Sequence, residues 1–274
     1  MGTLKTRVQE LLRRAGLYHR LQASPIYDLY WSLADASLLQ EIRIELGFYR
    51  SLLAGFRRGD LIFDIGANHG SKTDIFLRLG ARVLAVEPDE MNKSVLEEKF
   101  VRYRLHRKPV AIVQKAVSDK SGTEAMWIDR PGSAMNTFSR KWVDTLRADK
   151  SRFGYALEFA QRKAVATTTL EELFIIYGRP FFIKIDVEGY ELNVLRGLQQ
   201  TVPYVSFEVN LPEFRPDGLE CIALLERLAP DGRFNYVIDC RRGLAQEKWV
   251  GAGEFSGTLC KCQQKSIEVF WKTL

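Results

Sequence analysis

Four acidic residues, Asp64, Glu87, Asp119 and Asp186, each stand where an apolar run gives way to a turn. Asp64 follows Leu61-Ile62-Phe63 and leads through Ile65 into Gly66, Asn68, His69 and Gly70. Glu87 closes the run 82–86 and precedes Pro88. Asp119 follows Ala116-Val117-Ser118, and Asp186 follows FFIKI (181–185) and precedes Val187-Glu188-Gly189. A carboxylate at the carboxyl end of a buried strand is placed to accept hydrogen bonds from the hydroxyls and amines of a bound molecule. Glycines at 66 and 70 let a ligand approach the backbone, and the following helix turns its free N–H groups toward the same loop. LIFDIGANHG, residues 61–70, therefore reads as a strand, a glycine turn and a helix N-terminus, the usual grip on a nucleotide-like cofactor.

Two cofactor classes use such a grip. The dinucleotide fingerprint needs glycines at the first, third and sixth positions of the loop. Counting from Gly66, this chain has Asn68 third and Ser71 sixth. The looser D-x-G-x-x-x-G pattern of Asp64, Gly66 and Gly70 suits S-adenosylmethionine, which has no pyrophosphate to seat but carries an amino acid tail. Asp64 can accept from that tail's ammonium, and the backbone around Gly66, Asn68 and Gly70 can meet its carboxylate and the ribose. Glu87 stands about 20 residues on, where an acid accepts both ribose hydroxyls. Asp119, with Ser118 beside it, is placed for the exocyclic amine of adenine, although Asp119 before Ser121-Gly122 is also a good turn residue.

The elements that position these residues follow from periodicity. Strands are expected at 61–65, 82–86, 110–117, 123–128, 181–185, 204–210, 234–239 and 267–272. Helices are expected at 70–79, 89–100, 168–177, 189–200 and 217–229. Strands alternating with helices predict a doubly wound, mainly parallel sheet. The last two strands lack a recognisable helix between them, so an antiparallel pair is expected there. Residues 129–165 break the rhythm with Pro131-Gly132, Trp142 and many charges. They read as a partly helical insertion without a clean strand, lying over the active face or serving as surface decoration. Residues 33–56 read as a helix with Leu38, Ile42, Leu46 and Tyr49 inward. The domain division expected is an N-terminal helical extension, 1–58, and a catalytic domain, 59–274.

The segments DIGANHG, AVEPD, AVSD-x-x-G, TTTLEEL and IKIDVEGYELNVLRG, in this order, resemble the FkbM-type methyltransferases over roughly residues 45–212. The resemblance implies a class I methyltransferase (Rossmann-like) fold with a seven-stranded sheet. It also implies S-adenosyl-L-methionine as cofactor and methylation commonly at a hydroxyl oxygen. By motif position it carries cofactor roles onto Asp64, Gly66, Asn68, Gly70, Glu87 and Asp119. His69 and Lys72 depart from the apolar or aromatic residues usual after GAN, and 1–44 and 213–274 match no motif.

Methyl transfer from a sulfonium is an in-line displacement, so the protein mainly holds the acceptor in place, and a hydroxyl acceptor must also lose a proton. Asp186 and Glu188 end the fourth strand of the sheet at the proper edge and are the expected catalytic carboxylates. Glu188 would serve equally as a helix-capping group. His69 is either a general base suited to neutral pH or a packing residue of the loop. Lys184, on the strand itself, is expected to pair with an acid. Asp186, Glu208 and Asn210 loosely resemble the magnesium set of catechol-type methyltransferases, but the spacing differs and no metal is assigned.

With 274 residues, 46% hydrophobic, the chain has enough apolar content for one core, and a net charge of +6 is spread among interleaved acids. No apolar run approaches a membrane span, and the N-terminus lacks the apolar stretch of a signal peptide. Residues 1–22 carry five cations against Glu10 at amphipathic helical spacing. They read as a packing helix or a weak contact with an anionic membrane surface. Cys221, Cys240, Cys260 and Cys262 lack zinc-site spacing and fit a reduced, cytoplasmic protein. There is no concentrated basic patch with aromatics, so nucleic acid is not an expected partner. The expected substrate is a small molecule, sugar or glycolipid; transfer to nitrogen and a non-catalytic binding protein of the same fold are the alternatives.

Overall fold

The computed structural model describes residues 11–12, 18, 36–101, 103, 109–149 and 157–273. The expected basic helix over 1–22 lies outside the described residues apart from Leu11, Leu12 and Tyr18, as do residues 33–35 of the next helix. That helix, α1, spans Ala36–Leu52. Tyr49, Leu52 and Leu53 are buried against the sheet, so this segment packs as part of the core.

The main sheet has seven strands in the order β3-β2-β1-β7-β8-β10-β9. They are β1 (Leu61–Ile65), β2 (Arg82–Val86), β3 (Val110–Val113), β7 (Phe182–Ile185), β8 (Tyr204–Asn210), β9 (Arg233–Val237) and β10 (Ser266–Lys272). All pairings among them are parallel except those of β10, which runs antiparallel to both β8 and β9. Strands β1 and β7 are buried on both faces, which is why their sequences are nearly continuous apolar runs. Helices α2 (Ser71–Leu79), α3 (Glu90–Lys99), α5 (Leu170–Tyr177), α6 (Glu191–Arg196) and α7 (Arg215–Leu228) connect the strands. Strand order reverses at β1, which lies between β2 and β7. A crevice opens there at the carboxyl ends, where open α/β sheets bind ligands.

A second, three-stranded sheet departs from the expected pattern. The strand expected over 110–117 is broken after Val113, and β4 (Ala116–Val117) pairs instead with β6 (Gln161–Thr168), which also pairs with β5 (Gly122–Ile128). Strand β6 begins inside the segment read as strandless. Its first four residues are exposed, so no apolar alternation announces it. The same segment holds α4 (Arg140–Ala148), N-capped by Ser139 and burying Trp142, Val143 and Leu146. The connection between β9 and β10 likewise holds an unexpected helix, α8 (Ala252–Lys261). Gly253 and Gly257 weaken its propensity, and Ala252, Phe255 and Leu259 hold it in place by burial.

Candidate active site

The crevice at the β1–β7 junction is a cavity of about 230 Å³. Gly66, Asn68, Glu87, Asp186 and Glu188, five of the residues singled out in the sequence, line it together. Gly66 has φ +80°, and a Cβ there would lie 1.8 Å from the Asp186 carbonyl oxygen. The glycine is therefore what lets the two strand ends meet. Asn68 also takes a left-handed conformation, φ +48°, and its N–H donates to Glu87 Oε2 at 2.8 Å. The other Glu87 oxygen accepts from the Asp89 N–H at 2.9 Å. Burial raises the Glu87 pKa to about 7, offset in part by the bonds from Asp89, Asn68 and Asn92.

Two residues stand behind this wall. Asp64 is 1% exposed, accepts from Thr73 at 2.6 Å and is raised in pKa by burial against the pull of Lys184. Gly70 packs its α-carbon so close to Leu96 and Phe100 that a Cβ would clash with both. The buried ammonium of Lys99 donates to the His69 and Gly70 carbonyls at 3.1 and 3.0 Å and ties the loop to α3. Lys99 lies 30 positions from that loop and could not be paired with it from the sequence.

Three of the expected residues do not line this cavity. Asp119 is exposed and off the cavity wall. The chain leaves the main sheet after Val113, so Ser118 and Asp119 follow a strand of the small sheet instead of ending β3 at the crevice. Ser118 is fully buried but also off the wall, and its hydroxyl meets Glu124 at 2.9 Å and the Tyr190 hydroxyl at 3.1 Å. In their place, Ala116, Val117, Met126, Phe138 and Tyr190 form an apolar side to the cavity. The residue expected as a possible base in the loop, His69, is exposed and also off the wall.

Asp186 and Glu188 sit at the other end. Lys184, 3% exposed, donates to Asp186 Oδ2 at 2.7 Å. Burial works against its charge, but Asp186 and Asp64 together hold the ammonium above the usual lysine range. Glu188 has φ +54° and accepts from the Trp142 indole N–H at 3.1 Å. Burial, then the neighbouring carboxylates of Glu208, Asp186 and Glu191, raise its pKa well above the ordinary range. The turn that presents it is braced by Glu191, which accepts from the Val187 and Gly189 N–H groups at 3.1 and 3.2 Å. Oxygens of Asp186, Glu188 and Glu208 lie within 4.8 Å of one another. The expected trio had Asn210 in place of Glu188, but the Asn210 amide donates to Glu208 at 3.2 Å. Each of the three carboxylates already has a protein donor: Lys184, Trp142 and Ser266 respectively.

Four cavity residues had no signal in the sequence: Asn92, Ser133, Asn136 and Phe138. Asp89 explains how two of them arrive. One of its oxygens caps α3, and the other accepts from the Gly132 N–H and the Asn136 amide at 3.2 and 3.1 Å. The cofactor expected from the sequence fits this site. Asp64 Oδ1, Asn68 Oδ1 and Asn92 Oδ1 are buried acceptors without a partner. S-adenosylmethionine brings the matching donors, namely an ammonium, ribose hydroxyls and an adenine amine.

The family model described as the methyltransferase FkbM domain matches residues 64–230. No curated protein matches the sequence. Among solved structures, the chain is similar to a precorrin 8W decarboxylase from Methanobacterium thermoautotrophicum. That match has 13% identity and TM-score 0.39, over 81% of this chain and 86% of that one. It is also similar to the C-terminal domain of precorrin-6Y C5,15-methyltransferase from Rhodobacter capsulatus, with 12% identity and TM-score 0.41 over 81% and 84%. A third is an rRNA methylase from Streptococcus thermophilus, with 10% identity and TM-score 0.41 over 84% and 93%.

Proposed function

The chain belongs to the FkbM methyltransferase family and is an S-adenosylmethionine-dependent methyltransferase, and from that premise we propose that it methylates a hydroxyl oxygen of a small molecule, sugar or glycolipid. The observation that carries this reading is the set of three carboxylates, Asp186, Glu188 and Glu208, at the carboxyl ends of β7 and β8. Asp186 lines the cofactor cavity and also a second cleft of about 450 Å³ beside it, so it alone of the three carboxylates faces both.

When bound, S-adenosylmethionine supplies an electrophilic methyl group on a sulfonium sulfur. We assign Glu87 to the ribose hydroxyls, the Gly66–Asn68 backbone with Asp64 to the amino acid tail, and the apolar side at Val117, Met126 and Phe138 to the adenine. Gly70 supports the loop from behind. Lys184 occupies one oxygen of Asp186 and leaves the other to accept the hydrogen bond of the acceptor hydroxyl. Asp186 receives that proton as the oxygen–methyl bond forms, and Glu188, with an oxygen within 4.8 Å and a pKa raised by burial and the neighbouring carboxylates, stands next to share it. Transfer to nitrogen would need no such base, and the grouped carboxylates favour the hydroxyl.

Residues 59–274 are proposed as the catalytic unit, with α1 closing one side of the second cleft. All four cysteines are free, which supports a reducing, cytoplasmic setting. Among the described residues no helix is long and apolar enough to cross a membrane. The test pairs calorimetry with S-adenosylhomocysteine and product analysis on a panel of hydroxylated acceptors. Asp186→Asn is expected to keep the cofactor product's affinity within about threefold and to lower kcat by about a hundredfold or more. Absence of S-adenosylhomocysteine binding, or methyl found only on nitrogen, refutes the reading.

A further inference from the structure

Glu87 has less capacity than two ribose hydroxyls require. An ionised carboxylate offers about four lone-pair sites, two on each oxygen. Glu87 Oε1 already accepts from the Asp89 N–H at 2.9 Å and from the Asn92 side-chain amide at 3.5 Å. Glu87 Oε2 accepts from the Asn68 N–H at 2.8 Å. One site remains, on Oε2, so Glu87 takes one hydroxyl and leaves the other to a different acceptor.

Asn92 stands beside it with such an acceptor. It is the third residue of α3, and side chains on a helix lean toward its N-terminus, which brings this amide back over the end of β2. Asn92 is 2% exposed and lines the cofactor cavity together with Glu87. Its backbone is fixed by Asp89, whose capping oxygen accepts from the Asn92 N–H at 3.2 Å. The direction of the amide is fixed by Glu87: Nδ2 is turned to the carboxylate, because Oδ1 in that place would set two acceptors against each other. Oδ1 is therefore the end left over, and it has no donor among the described residues. The backbone of Gly132 passes close to it. A Cβ there would lie 3.3 Å from Oδ1, so the glycine, at φ +73°, keeps this oxygen uncrowded. A buried acceptor on a cavity wall is costly unless something in the cavity donates to it.

We infer that Asn92 is a cofactor-binding residue that divides the ribose with Glu87, one vicinal hydroxyl donating to Glu87 Oε2 and the other to Asn92 Oδ1. The inference rests on the S-adenosylmethionine reading of the cavity and makes the site selective for a ribose that carries both hydroxyls. The amide lies against the carboxylate, and vicinal hydroxyls lie side by side, whereas the adenine amine is at the far edge of the base. Because the two acceptors belong to different residues, each hydroxyl is read separately.

Calorimetry on the full chain at pH 8, above the Glu87 pKa of about 7, tests this with S-adenosylhomocysteine and its 2′-deoxy and 3′-deoxy forms. The wild type is expected to bind each deoxy form at least about fivefold more weakly than the parent. Asn92→Leu removes the amide at a buried helical position and is expected to lower affinity for the parent by about tenfold. In this variant one deoxy form, and only one, should bind as tightly as the parent, since the hydroxyl it lacks has no acceptor left to lose. The other should keep its wild-type deficit through Glu87. Equal losses for all three ligands would make Asn92 a structural residue only and overturn the inference. So would a deoxy form that matches the parent in the wild type. S-inosylhomocysteine, which lacks the adenine amine, should be discriminated against equally in wild type and variant; discrimination lost in the variant would put Asn92 at the base and overturn the inference too. Asn92→Ala, read in the same way, replaces a leucine variant that does not fold, and the wild-type comparison stands without either. Absence of S-adenosylhomocysteine binding in the wild type would instead overturn the functional reading itself.

Discussion

Replacing Lys184 by methionine isolates the ion pair beneath the active site. The methionine chain matches the lysine stem in volume and removes only the ammonium, so packing loss is small. What remains is Asp64, 1% exposed with one oxygen bonded to Thr73 and the other without a partner, and Asp186, whose side chain is 41% exposed. Breaking a buried pair by deleting one partner typically costs about 3–5 kcal/mol. Water reaches Asp186 and screens its share, so about 3 kcal/mol is expected at pH 8.

The pH dependence gives the sharper test. Lysine's usual pKa is 10.5, and that of Lys184 is raised further by its two aspartates. The ammonium is thus charged below 10.5 and loses its proton only as pH rises through the folded value, so lysine titration itself adds no pH dependence between pH 5 and 9. Deleting the ammonium lets the Asp64 pKa, already raised by burial, climb further. The variant's folded state then binds protons that the unfolded chain does not, and its deficit shrinks as pH falls. The change is about 1.4 kcal/mol for each unit by which a carboxyl pKa has risen. Urea denaturation of wild type and variant at pH 8 and pH 5 measures both quantities. A loss below about 1 kcal/mol at pH 8, or an equal loss at both pH values, refutes this account of the pair.

Trp142→Phe removes the indole donor to Glu188, and that hydrogen bond lowers the carboxyl pKa. Carbon-detected NMR titration of Glu188 should move upward; no movement, or a downward one, refutes the contact. Gly66→Ala puts a Cβ 1.8 Å from the Asp186 carbonyl at φ +80°. The left-handed conformation alone costs about 1–2 kcal/mol, before the β1 and β7 ends are forced apart. Calorimetry should show S-adenosylhomocysteine affinity reduced by about a hundredfold or more, and unchanged affinity and melting temperature would show that the close approach is not required.

The parallel part of the fold was legible because its signals are local. Apolar runs ending in Asp64, Glu87 and Asp186 mark strand ends, and the glycine spacing between 66 and 70 marks the turn. Illegible features depended on partners distant in sequence. Strand β6 opens with four exposed residues and is defined by its pairing with β5. Helix α8 is held by three buried side chains despite its glycines. Asp119 lies off the cavity although the motif around it is intact, because the strand expected to deliver it breaks at Val113. Glu208 was visible as a strand-end acid, but its opposition to Glu268 is a matter of register across 60 positions.

That register bears on how the site came to need its acids. Inserting β10 between β8 and β9 brings an antiparallel strand to the middle of this half of the sheet, so a residue near the start of β10 lies beside the carboxyl end of β8. In a wholly parallel sheet the ligand-facing edge would be built from strand ends alone. Here one strand contributes its beginning, and it carries Ser266 and Glu268 to the edge where Asp186 and Glu208 already stand. The hydroxyl of Ser266 satisfies Glu208, while Glu268 opposes it with a second charge. The antiparallel strand thus both completes the sheet and adds two polar side chains, Ser266 and Glu268, to the wall of the second cleft, which the cofactor loop could not have provided from β1.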